Sequence, residues 1–283
     1  MKILVLGASG MIGHVVLRYF AQCPGYAAVG SVRSARDVEL LPENVRGQLV
    51  CGSDVDTDGL IQLFEEVRPD VAVNCIGVVK QAIEADDPLA AIPVNSLLPH
   101  RLLKLCKLSG VRLIHLSTDC VFSGAQGMYR ESDSADATDL YGRSKLLGEL
   151  NDPQALTLRK SVIGPELEGT HGLLAWFLSQ RAGVKGFTRA IFSGLTTVEL
   201  ARVLRDFVLP RPELHGVLHV AAAPISKYDL LTLIAKVYGV AIDIEPDDKL
   251  SVDRSLDPGL FHRLTGYVAP SWPELVDAMH KFG

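Results

Sequence analysis

Two hydroxyl-bearing residues, a tyrosine and a lysine surround a polar loop in the middle of the chain. Ser117 and Thr118 precede the loop, and Tyr141 and Lys145 follow it at a spacing of four residues. On a helix this spacing places both side chains on one face, where an ammonium favours the phenolate and lowers the pKa of the phenol. Such a tyrosine can protonate a carbonyl oxygen while Thr118 donates a hydrogen bond to it. The pattern predicts hydride transfer to a carbonyl or from an alcohol.

A glycine-rich turn near the start of the chain offers a site for the hydride donor. Gly7, Gly10 and Gly13 follow the first predicted strand with the spacing G-x-x-G-x-x-G. Glycines allow a tight turn there, and the helix that follows points its N-terminus at a pyrophosphate. The spacing predicts a dinucleotide site, with a purely structural turn as the alternative. The residues expected to contact the cofactor in this turn are Gly7, Ser9, Gly10, Met11 and Ile12.

The end of the second predicted strand indicates which dinucleotide binds. An acidic residue at this position usually binds the ribose 2′-hydroxyl of NAD, whereas this strand ends in "GSVRSAR" with Arg33 and Arg36. A guanidinium pairs with a 2′-phosphate that a carboxylate would repel. We therefore expect NADPH, with NADH as the alternative donor and a solvated surface position as the alternative for both arginines. The ends of the third and fourth strands contribute the expected cofactor contacts Asp54, Val55, Cys75, Ile76 and Gly77.

Alternating strands and helices position these residues. Short apolar runs predict strands at 3–6, 27–32, 47–51, 71–75, 112–117 and 155–158, and segments of helical period lie at 11–22, 58–67, 96–109 and 141–150. This alternation predicts an α/β fold, a doubly wound parallel sheet with ligand sites beyond the C-terminal strand ends. The alternation breaks after about residue 160. We expect a dinucleotide-binding domain over 1–160 and a mainly substrate-binding lobe over 161–283, with about 191–222 returning to the first domain.

Composition and charge exclude several classes of protein. The 283 residues are 48% hydrophobic and 22% charged, and the net charge of −5 comes without a basic run. A nucleic-acid or anionic-membrane surface is therefore not expected. The five scattered cysteines predict neither a disulfide framework nor a metal site, and fit a reducing cytoplasm. No apolar stretch approaches the roughly 20 residues that span a bilayer, and the apolar start is too short for a signal peptide. We expect a soluble cytoplasmic protein.

Four motifs together carry a family resemblance. "GASGMIG", "NCIG", "STD" and "YGRSK" resemble the extended short-chain dehydrogenase/reductase superfamily, and "STDCVFSG…YRESD…YGRSKLLGE" is most similar to its dTDP-4-dehydrorhamnose reductase (RmlD-like) branch. The resemblance implies a Rossmann-type sheet with a smaller C-terminal lobe, a Thr118/Tyr141/Lys145 triad and NAD(P)H. It also implies that Tyr141, Lys145 and Asn95 lie at the cofactor, with Asn95 supporting the lysine through water, and that the substrate is a nucleotide-activated 4-keto-6-deoxy sugar.

The chain departs from the pattern of this branch at three places. Cys120 replaces a tyrosine, Lys160 stands where a threonine or small residue is usual, and "FSGLTTVELA" stands roughly where relatives carry Pro-Thr. Cys120 makes one wall of the sugar pocket smaller, and it occupies the place of the glutamate typical of 4,6-dehydratases, which argues against dehydration. The expected substrate contacts are Lys80, Asp119, Cys120 and Arg254, with Lys185 and Arg189 as further cations for a diphosphate.

Two other functions are compatible with the sequence. The first is a reductase or epimerase of a different nucleotide sugar, although an epimerase that retains NAD usually has an acidic second-strand end. The second is a non-catalytic regulatory subunit that binds NADP and a partner enzyme, a type found among relatives of this branch. Intact Tyr141 and Lys145 argue against the second. The expected partner is a nucleotide-sugar substrate, and a homodimer is allowed but not required by the sequence.

Overall fold

A parallel β-sheet of seven strands forms the centre of the molecule. The computed structural model describes residues 1–52, 56–78 and 86–283. The order of strands across the sheet is β11-β6-β5-β4-β1-β2-β3, and every adjacent pair is parallel. This arrangement confirms the predicted doubly wound α/β fold. The strands are β1 (Lys2–Leu6), β2 (Ala27–Val32), β3 (Leu49–Cys51), β4 (Val71–Asn74), β5 (Arg112–Leu116), β6 (Ala155–Arg159) and β11 (Gly216–His219).

Helices cover both faces of this sheet because its strands are apolar on both sides. Ile3 and Val5 belong to one apolar core, and Leu4 and Leu6 belong to the core on the opposite face. This division follows from the alternation of side chains along a strand. The helices are α1 (Met11–Ala21), α2 (Ala35–Leu40), α3 (Glu43–Arg46), α4 (Thr57–Val67), α5 (Pro88–Ala91), α6 (Leu98–Ser109), α7 (Leu140–Leu147), α8 (Leu173–Ser179), α9 (Thr197–Val203), α10 (Lys227–Tyr238), α11 (Gly259–Thr265) and α12 (Trp272–Phe282).

The predicted helix at 96–109 is part of a longer helical segment. Helix α5 continues through a π-helical turn at Ile92–Leu97 into α6. Pro93 lacks the N–H that a regular α-helix would use, and π turns are frequent at functional sites. Asn95 lies in this wide turn with its side chain buried. The turn therefore positions one of the predicted site residues.

Short strands and helices α8, α10, α11 and α12 form most of the remaining chain. Ser226 is the N-cap of α10, and its side chain accepts a hydrogen bond from the backbone N–H of Asp229. Strand β11 lies in the main sheet beside β6, although it comes late in the chain. The short strands are β7 (Val162–Ile163), β8 (Val184–Phe187), β9 (Ala190–Phe192), β10 (Leu195–Thr196), β12 (Ile225–Ser226), β13 (Ile244–Asp247) and β14 (Val252–Asp253).

Within the three described ranges, no helix is both long enough and apolar enough to cross a lipid bilayer.

A buried ion pair joins the ends of two central strands to helix α7. Arg159, the last residue of β6, donates from Nε and Nη2 to the two carboxylate oxygens of Glu149 at 2.9 and 2.8 Å. The hydroxyl of Ser117, directly after β5, donates to the same carboxylate at 2.6 Å. The two charged side chains are only 8% and 7% exposed. Ser117, the residue before Thr118, is therefore hydrogen-bonded to the carboxylate of a buried, bidentate ion pair.

Replacing Arg159 with methionine should lower the free energy of unfolding by about 3–5 kcal/mol, because the Glu149 carboxylate would stay buried without its cation. The matched control is Lys281→Met, which removes an exposed pair with Asp277 and should cost less than about 1 kcal/mol. Urea unfolding followed by circular dichroism measures both. Equal, small losses in the two variants would contradict a stabilising role for the Arg159 pair.

Candidate active site

The turn after β1 brings backbone unusually close to backbone. Gly7 has a φ of +75°, in the left-handed region that favours glycine. A Cβ at Gly13 would overlap the carbonyl oxygen of Gly7, so only glycine lets α1 pack this tightly. Helix α1 begins at Met11 with no acidic residue in its first turn. The turn can therefore accept a pyrophosphate at the helix N-terminus.

A cleft of about 260 Å³ opens beside this turn, between the ends of β1, β2 and β4. Its lining includes residues from all three strand ends, and Val94 of the π-helical turn closes one side. Seven of the predicted cofactor contacts line it: Gly7, Ser9, Gly10, Arg33, Cys75, Ile76 and Gly77. The residues that line it without having been predicted as contacts are Ser31, Val32, Val78 and Val94.

Five further predicted cofactor contacts lie among the described residues but outside this lining: Met11, Ile12, Asn95, Tyr141 and Lys145. Met11 and Ile12 lie in the first turn of α1 and are half-buried, and the Met11 side chain packs against Gly172. Asp54, Val55 and the predicted substrate contact Lys80 lie outside the residues that the structure describes.

The two arginines after β2 have different surroundings. Arg33 is exposed and lines the cleft, where its guanidinium can reach a phosphate. Arg36 forms an ion pair with Glu168. Ser31 is buried, and its hydroxyl accepts a hydrogen bond from the Gly7 N–H at 3.4 Å. The phosphate-binding chemistry expected at the end of β2 is therefore available from Arg33, whereas Arg36 already has a carboxylate partner.

The hydroxyls of Thr118 and Tyr141 meet beyond the end of β5. The Thr118 hydroxyl lies near the phenol of Tyr141, which is the second residue of α7. The Thr118 hydroxyl donates to Asp119 Oδ1 at 3.1 Å and accepts from the Cys120 N–H at 3.2 Å. The structure thus brings the strand-end threonine and the helix tyrosine together, although 23 positions separate them.

The pKa of Tyr141 differs from the sequence-based expectation. Burial raises it above its usual value, and the neighbouring Cys120 and Asp119 raise it further, whereas the nearby Thr118 hydroxyl lowers it. The prediction of a lowered pKa is therefore wrong for the protein alone, because desolvation of the phenolate outweighs the effect of this hydroxyl. At neutral pH the phenol keeps its proton, as a proton donor must.

Lys145 links helix α7 to the cleft. Its Nζ donates to the Leu116 carbonyl oxygen at 2.9 Å and is buried. A Cβ at Gly77 would lie 3.7 Å from this Nζ and 3.3 Å from Asn95 Oδ1. Burial, followed by the charge of Lys160, lowers the pKa of Lys145 to about 7. Lys145 and Asn95 therefore flank the same point of the cleft wall.

Asn95 fixes the loop that forms this wall. Its Oδ1 accepts from the Val78 N–H at 3.0 Å, and its Nδ2 donates to the Val78 carbonyl at 3.2 Å and to the Ser144 hydroxyl at 3.1 Å. Ser144 directly precedes Lys145 on α7. The side chain therefore acts through direct hydrogen bonds to the loop and the helix, rather than only through the water that the resemblance implied.

Three predicted substrate contacts lie beside the hydroxyl pair. The thiol of Cys120 hydrogen-bonds Asp119, whose pKa is raised by burial and lowered by the Thr118 hydrogen bond and by the charges of Arg254 and Lys160. Arg254 comes from the C-terminal part of the chain, and its Nε donates to the Phe122 carbonyl at 2.8 Å. Asp119, Cys120 and Arg254 thus form one wall next to Thr118 and Tyr141.

The further cations proposed for a diphosphate have other surroundings. Lys185 lies 3.7 Å from Asp247 and is exposed, and Arg189 is exposed as well.

The sequence reasoning missed the buried Glu149–Arg159 pair, although Glu149 follows Lys145 by one helical turn in "SKLLGE". No sequence signal marked Val78 and Val94, because ordinary apolar residues line most protein interiors.

Comparison with known proteins gives one family match. The family model described as RmlD substrate binding domain matches residues 1–255. The probable low-salt glycan biosynthesis reductase of Haloferax volcanii is 34% identical over 168 residues, which are 58% of this chain and 54% of that protein. Methionine adenosyltransferase 2 subunit beta of Bos taurus is 30% identical over 171 residues, 59% of this chain and 48% of that protein. The chain thus spans about half the length of these curated relatives.

Solved structures share the fold over the whole chain. The dTDP-4-dehydrorhamnose reductase of Bacillus anthracis, crystallised in complex with NADP, superposes with a TM-score of 0.79. The superposition covers 99% of this chain and 98% of that one at 19% sequence identity. At this low sequence identity, the superposition establishes a common architecture and nothing more specific.

The lowered pKa of Lys145 predicts a pH-dependent stability. Between a folded-state pKa of about 7 and the ordinary value of 10.5, the unfolded chain holds more protons, so stability should rise with pH. From pH 7 to pH 9 the free energy of unfolding should rise by about 2 kcal/mol more in the wild type than in Lys145→Met.

Urea titrations at pH 7, 8 and 9 measure this difference. The control Lys104→Met removes an exposed lysine of α6 and should keep the wild-type slope. A Lys145→Met protein with the wild-type dependence on pH would show that Lys145 titrates normally in the fold.

Proposed function

The chain belongs to the RmlD substrate binding domain family, and from this premise we propose that it is an NADPH-dependent reductase of a nucleotide-activated 4-keto sugar. The observation that carries the proposal is the close approach of the Thr118 and Tyr141 hydroxyls beside the lysine-flanked cofactor cleft. Two hydroxyls that converge at one point can hold one carbonyl oxygen. The resemblance implied a 6-deoxy sugar, but the chemistry of this site requires only the ketone.

The cleft suits a dinucleotide phosphate. The close contact between Gly13 and Gly7 lets α1 pack tightly on the turn, so that the N-terminus of α1 lies where a pyrophosphate can bind. Arg33 would hold the 2′-phosphate, and Lys145 would hydrogen-bond the ribose near Gly77. When bound, the cofactor supplies the hydride that the carbonyl carbon receives.

Tyr141 is proposed as the general acid. Its raised pKa keeps the phenol protonated at neutral pH, so its proton is available as the carbonyl oxygen gains negative charge. Thr118 donates a second hydrogen bond to that oxygen and fixes its direction. Lys145, with its pKa near 7, stabilises the phenolate that remains after the proton has left. The product is the corresponding alcohol.

Replacing Tyr141 with phenylalanine should reduce kcat by about 100-fold or more, the usual loss when a general acid is removed. Binding of NADPH, followed by its fluorescence, should remain within about twofold, because the phenol is not part of the cleft lining. Tyr26→Phe is the matched control, since Tyr26 packs against Phe20 in the core, and it should keep full activity. Near-normal turnover in Tyr141→Phe would refute the assigned role.

Replacing Arg33 with alanine should raise the KM for NADPH by about tenfold, because a charge-assisted hydrogen bond contributes roughly 1.5–3 kcal/mol. The KM for NADH should hardly change. Arg36→Ala is the control, because that side chain pairs with Glu168. Steady-state kinetics with both cofactors measure the effect, and a wild-type enzyme that prefers NADH would contradict the assignment.

A second candidate function rests on the similarity to methionine adenosyltransferase 2 subunit beta. That protein is named as a subunit, so a chain of this type can serve an enzyme made of another polypeptide. A panel of 4-keto nucleotide sugars with NADPH, together with pull-down from the source cell, separates the two candidates. Reduction of one sugar supports the enzyme function. The identity of the sugar that reacts shows which nucleotide sugar is the substrate of the reductase. Cofactor binding without any turnover, plus a stable partner, supports the subunit.

A further inference from the structure

A buried histidine contacts the glycine turn from inside the protein. His14 follows Gly13 in α1 and is only 1% exposed. Its ring atom Nδ1 lies 3.0 Å from the Gly10 carbonyl oxygen. The backbone N–H of His14 donates to the same oxygen at 3.1 Å. The Gly10 carbonyl oxygen therefore accepts two hydrogen bonds from one residue, whose ring is enclosed and cannot itself touch a ligand.

This contact fixes the position of the proton on the ring. A carbonyl oxygen can only accept a hydrogen bond, so Nδ1 of His14 carries the hydrogen. Burial lowers the pKa of His14 to about 4, although the hydrogen bond to Gly10 raises it, and the charge of Arg18 lowers it further. The ring is therefore neutral at physiological pH, with Nδ1 as a constant donor to Gly10.

Gly10 lies between this histidine and the cofactor cleft. It lines the cleft and is the N-cap residue of α1, with φ −76° and ψ 164°. Its own N–H donates to the Gly7 carbonyl at 3.1 Å, and the Ala8 N–H donates to the Ser31 carbonyl at 2.9 Å. These two backbone donors of the turn are therefore engaged within the protein.

The donors that remain for a pyrophosphate lie at the start of α1. The N–H groups of Met11 and Ile12 have no acceptor within the helix, and no side chain in the described part of the chain caps this end. In a planar trans peptide the N–H points opposite to the C=O. The direction of the Gly10 carbonyl therefore sets the direction of the Met11 N–H. Two hydrogen bonds hold the carbonyl along the helix, so the N–H points out of the helix start.

The bond from the histidine ring also strengthens this donor. A hydrogen bond to a carbonyl oxygen polarises its peptide group, and such cooperative effects amount to roughly 10–30% per bond. In an ordinary helix only the backbone N–H four residues later reaches this carbonyl, whereas Gly10 has one additional donor. The Met11 N–H is therefore both directed and polarised toward a negative ligand.

We propose that His14 is a positioning residue for the cofactor pyrophosphate and acts through the Gly10 carbonyl to direct the Met11 N–H. This inference rests on the dinucleotide site of the proposed function and deepens it. NADPH and NADH have the pyrophosphate in common, so His14 should support the binding of both. Arg33 differs in this respect, because it faces the 2′-phosphate that only NADPH carries.

A matched pair of variants isolates the hydrogen bond. Threonine and valine are nearly equal in size, and a helical threonine can donate from its hydroxyl to the carbonyl four residues earlier. His14→Val should raise the Kd of NADPH and of NADH by about fivefold, the contribution of one neutral hydrogen bond. His14→Thr should restore most of the affinity. Titrations that follow the fluorescence of each cofactor measure these values.

A second pair repeats the comparison without a β-branched residue. His14→Ala and His14→Ser differ in the same way, because serine also donates to the carbonyl one turn earlier. This pair covers the case in which threonine and valine disturb the buried helix. Near-ultraviolet circular dichroism shows which variants are folded.

A ligand without a pyrophosphate separates positioning from general stability. Adenosine 2′-monophosphate carries the adenine, ribose and 2′-phosphate of NADPH. Its Kd, measured by displacement of NADPH, should stay within about twofold of the wild-type value in all four His14 variants, since the helix start binds the missing pyrophosphate. In Arg33→Ala this Kd should rise by about tenfold, which shows that the assay detects a lost phosphate contact.

Each outcome decides the proposal. Equal NADPH affinities within both pairs, an equal loss for adenosine 2′-monophosphate, or a loss for NADPH without one for NADH would overturn it. Reduction of a keto sugar by the wild type would then leave the proposed function standing. The expected pattern of affinities without reduction of any keto sugar would uphold the role of His14 and reject the proposed reductase function. A wild-type protein that binds neither cofactor would overturn both.

Discussion

The buried pair of Arg159 and Glu149 is the interaction on which the geometry of the site depends. Arg159 ends β6, and Glu149 lies just beyond α7 and also accepts from Ser117 after β5. One carboxylate thus fixes two strand ends and a helix relative to one another. Thr118, Lys160 and Lys145 are each next to, or one helical turn from, a member of this group. Because movement would separate or expose the charges of a desolvated pair, this pair holds the neighbouring site residues in fixed relative positions.

Burial governs the protonation states around this frame. It raises the pKa of Tyr141 and lowers those of Lys145 and Lys160. In each case desolvation opposes the charged form, so the site favours a neutral phenol and weakens its own cations. The three groups share one electrostatic environment, since Lys160 acts on Lys145, and Asp119 and Cys120 act on both Tyr141 and Lys160.

The sequence predicted the elements that local rules control. Hydrophobic alternation located all six N-terminal strands of the sheet within a few residues, and the glycine spacing located the cleft. The rule that ligand sites lie beyond the C-terminal ends of parallel strands placed Thr118 at the site, whereas Tyr141 lies on a helix and was matched to Thr118 only through the chemistry that the two would share. The π-helical turn at Asn95 and the burial of Lys160 depend on contacts between distant segments, which no local pattern encodes. The predicted direction of the Tyr141 pKa shift was wrong for the same reason, because desolvation is a property of the packed fold.

Cys120 and Lys160 are the two departures from the family pattern that meet in space. Cys120 is smaller than the tyrosine it replaces, and its thiol is engaged by Asp119. Lys160 is longer than the threonine or small residue that the resemblance leads us to expect there, and Cys120 is among the groups that act on its charge. Loss of volume on one wall therefore accompanies gain of volume and charge on the adjoining wall. A paired exchange of this kind changes the chemical character of a pocket while it keeps the space filled, so the two residues are best understood as one specificity feature.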